Sequence, residues 1–368
     1  MSAAKENTPT EPSAAPAVSQ NPETSEAATA TLTPAPESTA EPTTEAKPTA
    51  EAPASEAKVA QVPIEANIAP APTDTKEPTP APTKIETPTT SEPSWPELKD
   101  DHPLSKLLAE LPQIIKDADY NEVYGIELGP TKPFHTNLIL QKFLRANSND
   151  LEKAKEQLLA TLEWRKEFQP LKAKEESFDK GRFAGLGYVM VLESVPESTN
   201  KTDVATFNIY GAVKDNKAAF GDLDGFIRWR VGLMELGIEK LGLNKATKPI
   251  PNFGEGPDPY QGIQIHDYLS VSFLRMDPNA KTASKKTIET FQKYYPETLS
   301  RKFFVNVPVV MGWLFSAMKL FVAKETVKKF TVLSYGEQLA NELGPEVPTV
   351  YGGKGETLEN VGETLKLE

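Results

Sequence analysis

The residues in this chain best suited to chemistry are His266, Asp267 and Tyr268, which close the run GIQIHDY. If that run is a strand, side chains two apart share a face, so His266 and Tyr268 project together and Asp267 points away. A phenol and an imidazole on one pocket floor would meet the same ligand. Tyrosinate binds ferric iron, including at the axial position of a haem. The phenol's ordinary pKa is about 10, so near neutral pH it needs a neighbouring cation or hydrogen-bond donor to ionise. The plainer reading of the same residues is a strand carrying a hydrogen-bonded core histidine. Other chemistries lack their patterns. There is no GxSxG elbow, no glycine-rich phosphate loop and no HExxH pair. The glycines of Asn252–Gly256 fall in a proline-rich loop. His102 and His135 have no metal-ligand spacing and read as surface or packing residues. The absence of cysteine excludes disulfides, thiolate metal sites and cysteine nucleophiles. The chain therefore reads as a binder rather than an enzyme.

The elements that must position these residues follow from periodicity. LSKLLAELPQIIKDA has apolar residues at helical spacing, with Pro112 as a kink or break. Phe134–Ala146 is a second helical pattern. Asn149 and Asp150 form a start signal for LEKAKEQLLATLEWRKEF, the third. Beyond residue 170 the pattern changes. Short strands are predicted at Gly187–Leu192, Asp203–Tyr210, Gly262–Tyr268, Lys302–Val307 and Lys329–Leu333. Helices are predicted at Asp224–Leu241, Lys281–Tyr295, Val309–Val322 and Tyr335–Glu342, with a Pro/Gly-rich loop over Asn244–Gly262. Alternating strands and helices predict an α/β fold with a mainly parallel sheet.

Val309–Val322 is unusually apolar. Met311, Trp313, Leu314, Phe315, Met318, Phe321 and Val322 would surround nearly the whole helix, which must then be buried or meet lipid. Phe303–Val322 has the length of a membrane span, about 20 residues. However, Val-Asn-Val-Pro should end a strand and begin a helix, leaving roughly 15 residues, too few to cross. Lys319, Lys324, Lys328 and Lys329 cluster around its end and suit either water or an anionic lipid surface.

Composition divides the chain. Residues 1–94 hold 17 of the 33 prolines and 14 acidic residues against five lysines, with no aromatic side chain. Such a segment buries too little apolar area to offset the entropy of ordering it. Residues 1–96 are therefore expected to form a disordered tail. Their start lacks the basic and apolar regions of a secretory signal. The tail leaves only −3 of the chain's −12 charge to the remainder. That near-neutral remainder argues against nucleic acid as a partner.

LILQKFLRA, LEWRKEF, GIQIHDY, FQKYYPETL, FFVNVP and the closing VPTVYGGKGE together resemble the CRAL-TRIO lipid-binding fold over about 103–356. The resemblance implies an N-terminal helical unit (100–175), a lobe with a mixed-sheet floor (180–356) under an apolar gate helix, and a C-terminal tail (357–368). RWRVGLMELG, HDY and KFFVNVPVVMGW resemble the atypical, haem-binding branch of fungal phosphatidylinositol-transfer proteins. That branch implies a monomer that transfers phosphatidylinositol between membranes and contributes to phosphoinositide homeostasis. It also implies peripheral attachment to the endoplasmic reticulum from the cytoplasm. A ferric haem b would be ligated by Tyr268, with His266 beside it and Tyr210, Arg230 and Lys302 on the ring or its propionates. A haem sensor or buffer in oxidant stress, with little lipid transfer, is the alternative. Arg228 and Arg230 suit lipid phosphate equally well. One departure stands out: the positions that read inositol in better-known members fall near Lys286 and Ser316, which do not match in type.

Overall fold

A computed structural model of the chain describes residues 93–272, 277–309 and 324–368. The expected disorder of residues 1–92 and the apolar helix expected over Val309–Val322 lie outside the described residues, apart from Val309 itself.

Three helices open the folded part: α1 (Pro103–Ala118), α2 (Pro133–Ala146) and α3 (Leu151–Phe168). His102 caps α1, its Nδ1 accepting from the Leu104 N–H at 3.1 Å. Asp150 caps α3 through the Lys153 N–H at 3.1 Å. Leu104, Leu107, Leu111 and Ile114 put a buried stripe on α1. Pro112 does not break the helix, contrary to one expectation. It sits on the exposed face, where the carbonyl it leaves unbonded is open to water. A short helix, α4 (Pro170–Glu175), leads into the lobe.

The lobe is built on a five-stranded sheet in chain order: β1 (Gly187–Glu193), β2 (Thr202–Ile209), β3 (Gly262–Asp267), β4 (Leu299–Val305) and β5 (Phe330–Val332). The β1–β2 pair is antiparallel and the other three pairs are parallel, a mixed sheet as the resemblance implied. Two long helices, α5 (Leu223–Lys240) and α6 (Pro278–Tyr294), accompany it. The phenylalanine strand, expected to run to Val307, stops at Val305, because Asn306 turns the backbone to φ 59°. Among the described residues, no helix is long and apolar enough to cross a membrane.

Strand alternation sorts side chains to the two faces. Met190, Leu192, Ala205, Phe207, Ile263, Ile265, Phe303 and Val305 form one core with α7 (Leu339–Leu343), Val347 and Tyr351. Val189 and Val204 turn the opposite way and join the core that contains α5 and the N-terminal helices. Residues 357–368, expected to trail as a tail, pack onto the lobe instead. Leu358 and Leu365 are buried, and Lys366–Leu367 pairs in parallel with Ser177–Phe178. Two-residue ladders carry no periodicity, so composition does not reveal them.

Candidate functional site

The face of the sheet opposite Phe207 and Ile265 carries polar groups in two rows. Registers place Asn208, His266 and Phe304 side by side on β2, β3 and β4, and Thr206, Gln264 and Lys302 in the neighbouring row. Tyr210 follows β2 in a tight turn, and Tyr268 follows β3. The expected pairing of His266 with Tyr268 is realised. Both rings lie against Tyr210, at 5.5 and 5.3 Å, and against Phe304, at 5.6 and 6.3 Å between centroids. The Lys302 ammonium sits 5.2 Å from the Phe304 ring and 5.5 Å from Phe330. Arg230, buried on α5, lies over Phe291 at 5.2 Å. All five residues expected at the site therefore meet in one cluster. Tyr210, Tyr268 and Lys302 are half-buried.

The electrostatics of the cluster are one-sided. Burial, then Lys302 and Arg230, hold His266 well below the usual histidine range, so it is a neutral imidazole. Burial and the neighbouring Arg230 bring Lys302 down to about 7. Burial pushes Tyr268 well above the ordinary phenol value, and Tyr210 adds to the rise. Sequence reasoning asked for a neighbouring cation to ionise Tyr268. Arg230 favours ionisation of Tyr210, against the rise that burial produces there. In the ligand-free protein Tyr268 therefore ionises less readily than a free phenol. Among the described residues, no group of three or more His, Asp or Glu is placed to hold a metal ion.

Arg228 and Arg230, two residues apart on α5, have opposite fates. Arg228 forms a bidentate pair with Glu176, at 2.9 and 2.5 Å, and also bonds the Phe168 carbonyl. The expectation that it binds lipid phosphate is therefore unsupported. Arg230 has no carboxylate: among the described residues its Nε and Nη1 have no hydrogen-bond partner. The Oδ1 of Asn208, in the row beside it, is unpartnered too. Asn208 and Arg230 both line a small cavity with Leu186, Tyr210, Phe226 and Trp229. Buried donors and acceptors are normally paired, so these atoms can receive a polar group that enters the cavity.

Asp267 points to the other face, as alternation requires. It accepts from the Tyr351 hydroxyl at 2.7 Å and from Asn306 Nδ2 at 2.7 Å. Three sequence motifs, HDY, VNVP and VYGG, thus converge on one buried carboxylate. Gly352 (φ 82°) is required there, because a Cβ would sit 2.1 Å from the Glu337 carbonyl oxygen. Sequence reasoning missed the buried ion pairs behind the other motifs. Arg165 of LEWRKEF pairs with Glu122 at 2.8 Å and Glu235 at 2.7 Å, and the Tyr295 hydroxyl of YYPE donates to Glu235 at 2.6 Å. Lys142 of LILQKFLRA pairs with Asp258 at 2.6 Å and donates to the carbonyls of Tyr260 and Glu297, each at 2.9 Å. His135 is part-buried, its ring 5.4 Å from Phe134, a packing residue as expected.

The comparisons match this geometry. The CRAL/TRIO domain profile matches residues 213–353, and the CRAL/TRIO N-terminal domain profile matches 103–160. This chain belongs to the CRAL/TRIO family. A phosphatidylinositol transfer protein SFH5 of Phaeosphaeria nodorum is 66% identical over 288 residues, which cover 78% of this chain and 87% of that protein. Another, from Sclerotinia sclerotiorum, is 53% identical over 73% of this chain and 64% of its own length. The crystal structure of Sfh5 superposes with a TM-score of 0.63 at 32% identity, covering 72% of this chain and 91% of that one. The mixed sheet and preceding helical unit are accordingly the CRAL/TRIO arrangement, and the cluster around Tyr268 lies on its sheet.

Proposed function

We propose that this chain is a non-catalytic carrier that binds phosphatidylinositol and transfers it between membranes, and so contributes to phosphoinositide homeostasis. One observation carries the reading: Arg230 and Lys302 lie against aromatic rings and close enough to repel each other, and among the described residues neither has a carboxylate in salt-bridge contact. A cavity of this type suits a cargo that is mostly apolar but carries an anionic group. A phosphodiester supplies that charge. The names of the relatives favour inositol lipid. The test is transfer of labelled phosphatidylinositol from donor to acceptor vesicles. The proposal expects transfer in proportion to protein; transfer no faster than vesicles alone would overturn it.

A second occupant, haem b, is favoured by the phenol and imidazole that share a face. The residues fit it. Arg230 and Lys302 suit two propionates, Tyr268 offers an oxygen ligand for ferric iron, and neutral His266 lies against the same Tyr210 and Phe304 rings. When bound, the haem would supply a redox-active iron and two carboxylates. The protein's part is to release the Tyr268 proton, hold Lys302 charged against a propionate and shield the iron from water. Freshly purified protein should show a Soret band that Tyr268→Phe shifts or abolishes. A colourless protein that stays colourless after haem addition would rule the second occupant out. We place the carrier at the cytoplasmic surface of the endoplasmic reticulum as a peripheral protein, which fractionation of microsomes with and without a high-salt wash would test.

A further inference from the structure

We propose that the end of the sheet where β3, β4 and β5 finish is a membrane-docking rim, whose apolar tips Leu269, Val309, Tyr335 and Val350 enter the headgroup layer of a bilayer. This inference rests on the carrier reading and names the surface through which cargo would be exchanged. Among the described residues, these four are the most exposed large hydrophobic side chains, at 60, 80, 69 and 68%; the next, Val191, is 48% exposed. They come from four separate segments of chain, yet one buried knot binds those segments together. The Leu269 N–H donates to Asp267 Oδ1 at 2.8 Å, and Asn306 Nδ2 donates to the same oxygen at 2.7 Å. The Gly336 N–H donates to Asn306 Oδ1 at 2.7 Å, and the Tyr351 hydroxyl donates to Asp267 Oδ2 at 2.7 Å. Each apolar tip lies one to three residues from a member of this knot. A rigid polar base thus presents apolar fingertips at one end of the sheet, where loops ordinarily carry polar side chains.

Several observations favour a bilayer as the occupant. The tips stand on separate loops, and such points enter a fluid headgroup layer without needing a complementary partner surface. Val309 leads directly into the most apolar run of the sequence, 310–322. Leu269 follows Tyr268, so the rim adjoins the cargo cluster. The loop after Tyr210 packs on Leu269, where a Cβ at Gly211 would sit 1.8 Å from the Leu269 carbonyl oxygen. The segment that follows exposes Lys214 and, at the start of the short helix Asn216–Phe220, Lys217, with exposed Asp215 between them, a net positive charge that suits anionic headgroups.

The experiment is co-sedimentation of the full chain with phosphatidylcholine vesicles, with and without phosphatidylinositol. It compares wild type, the rim variant Leu269→Glu/Val350→Glu, and the control Val191→Glu/Val361→Glu, which charges exposed apolar positions outside the rim. Thermal unfolding and mass spectrometry of retained lipid accompany each sample. The expected result is at least a tenfold loss of vesicle binding in the rim variant alone, with melting temperature and retained lipid unchanged. Sedimentation of the rim variant like wild type, or an equal loss in the control, would overturn the proposal. So would a concentration-dependent dimer in light scattering that disappears in the rim variant, because a second copy would then be the occupant. A wild-type chain that carries inositol lipid but never sediments refutes the rim alone. One that sediments but takes up no lipid refutes the carrier reading alone.

Discussion

Two regions of this molecule bury positive charge, and they treat it oppositely. Where the N-terminal helices meet the lobe, Arg165 is wholly buried between Glu122 and Glu235, and Lys142 is wholly buried against Asp258. Every charge there has a partner, and the region is finished without a ligand. On the polar face of the sheet, Arg230 is as deeply buried, yet two of its nitrogens have no hydrogen-bond partner among the described residues, and Lys302 beside it has been brought down to about 7. Desolvating a cation without compensation opposes folding. The first region holds the fold together, whereas the second, on the proposed reading, gives up stability to leave a place for an anion.

Breaking the finished region should have the largest effect. Arg165→Met leaves Glu235 and Glu122 buried without their cation and should cost about 3–5 kcal/mol in urea unfolding. A loss below about 1 kcal/mol would mean that water reaches the pair and that the contrast between the regions is overdrawn.

The pH dependence of the ligand-free protein sharpens the other side. Lys302 has a folded pKa of about 7, well below the ordinary lysine range. Between pH 7 and about 10.5 the unfolded chain therefore holds a proton that the folded chain has shed, and this residue's contribution makes stability rise with pH. Below pH 7 both states are protonated and the full cost is present. Lys302→Met should flatten the rise and stabilise the empty protein at pH 6. Parallel profiles for wild type and variant would show that Lys302 is not desolvated.

The smallest effect belongs to the knot beneath the rim. Tyr351→Phe removes one hydrogen bond to Asp267 and should cost about 1–2 kcal/mol in thermal or urea unfolding. No measurable cost would mean that water replaces the phenol.

How much of this was legible in the sequence depended on whether the signal was local. The five strands and the shared face of His266 and Tyr268 are local signals; four strands lie within one residue of expectation, whereas the phenylalanine strand begins three residues earlier, at Leu299, and ends two earlier, at Val305. Tyr210, Arg230 and Lys302 came from resemblance, because nothing in their spacing announces that they meet. Arg165 and Glu235 are 70 residues apart, and each reads alone as a solvated helix charge. The same holds for Asp267 and Tyr351, 84 residues apart. Which neighbour a cation faces is likewise decided by packing: Arg230 acts on Tyr210.

The most direct test of the account is lipid loading by the double variant Arg230→Met/Lys302→Met. Wild type and variant would be incubated with vesicles containing phosphatidylinositol and re-isolated, and the bound lipid counted by native mass spectrometry, with unfolding curves confirming that both are folded. The account predicts a variant at least as stable as wild type when empty that retains at least tenfold less inositol lipid. A folded variant that loads as much phosphatidylinositol as wild type would contradict it.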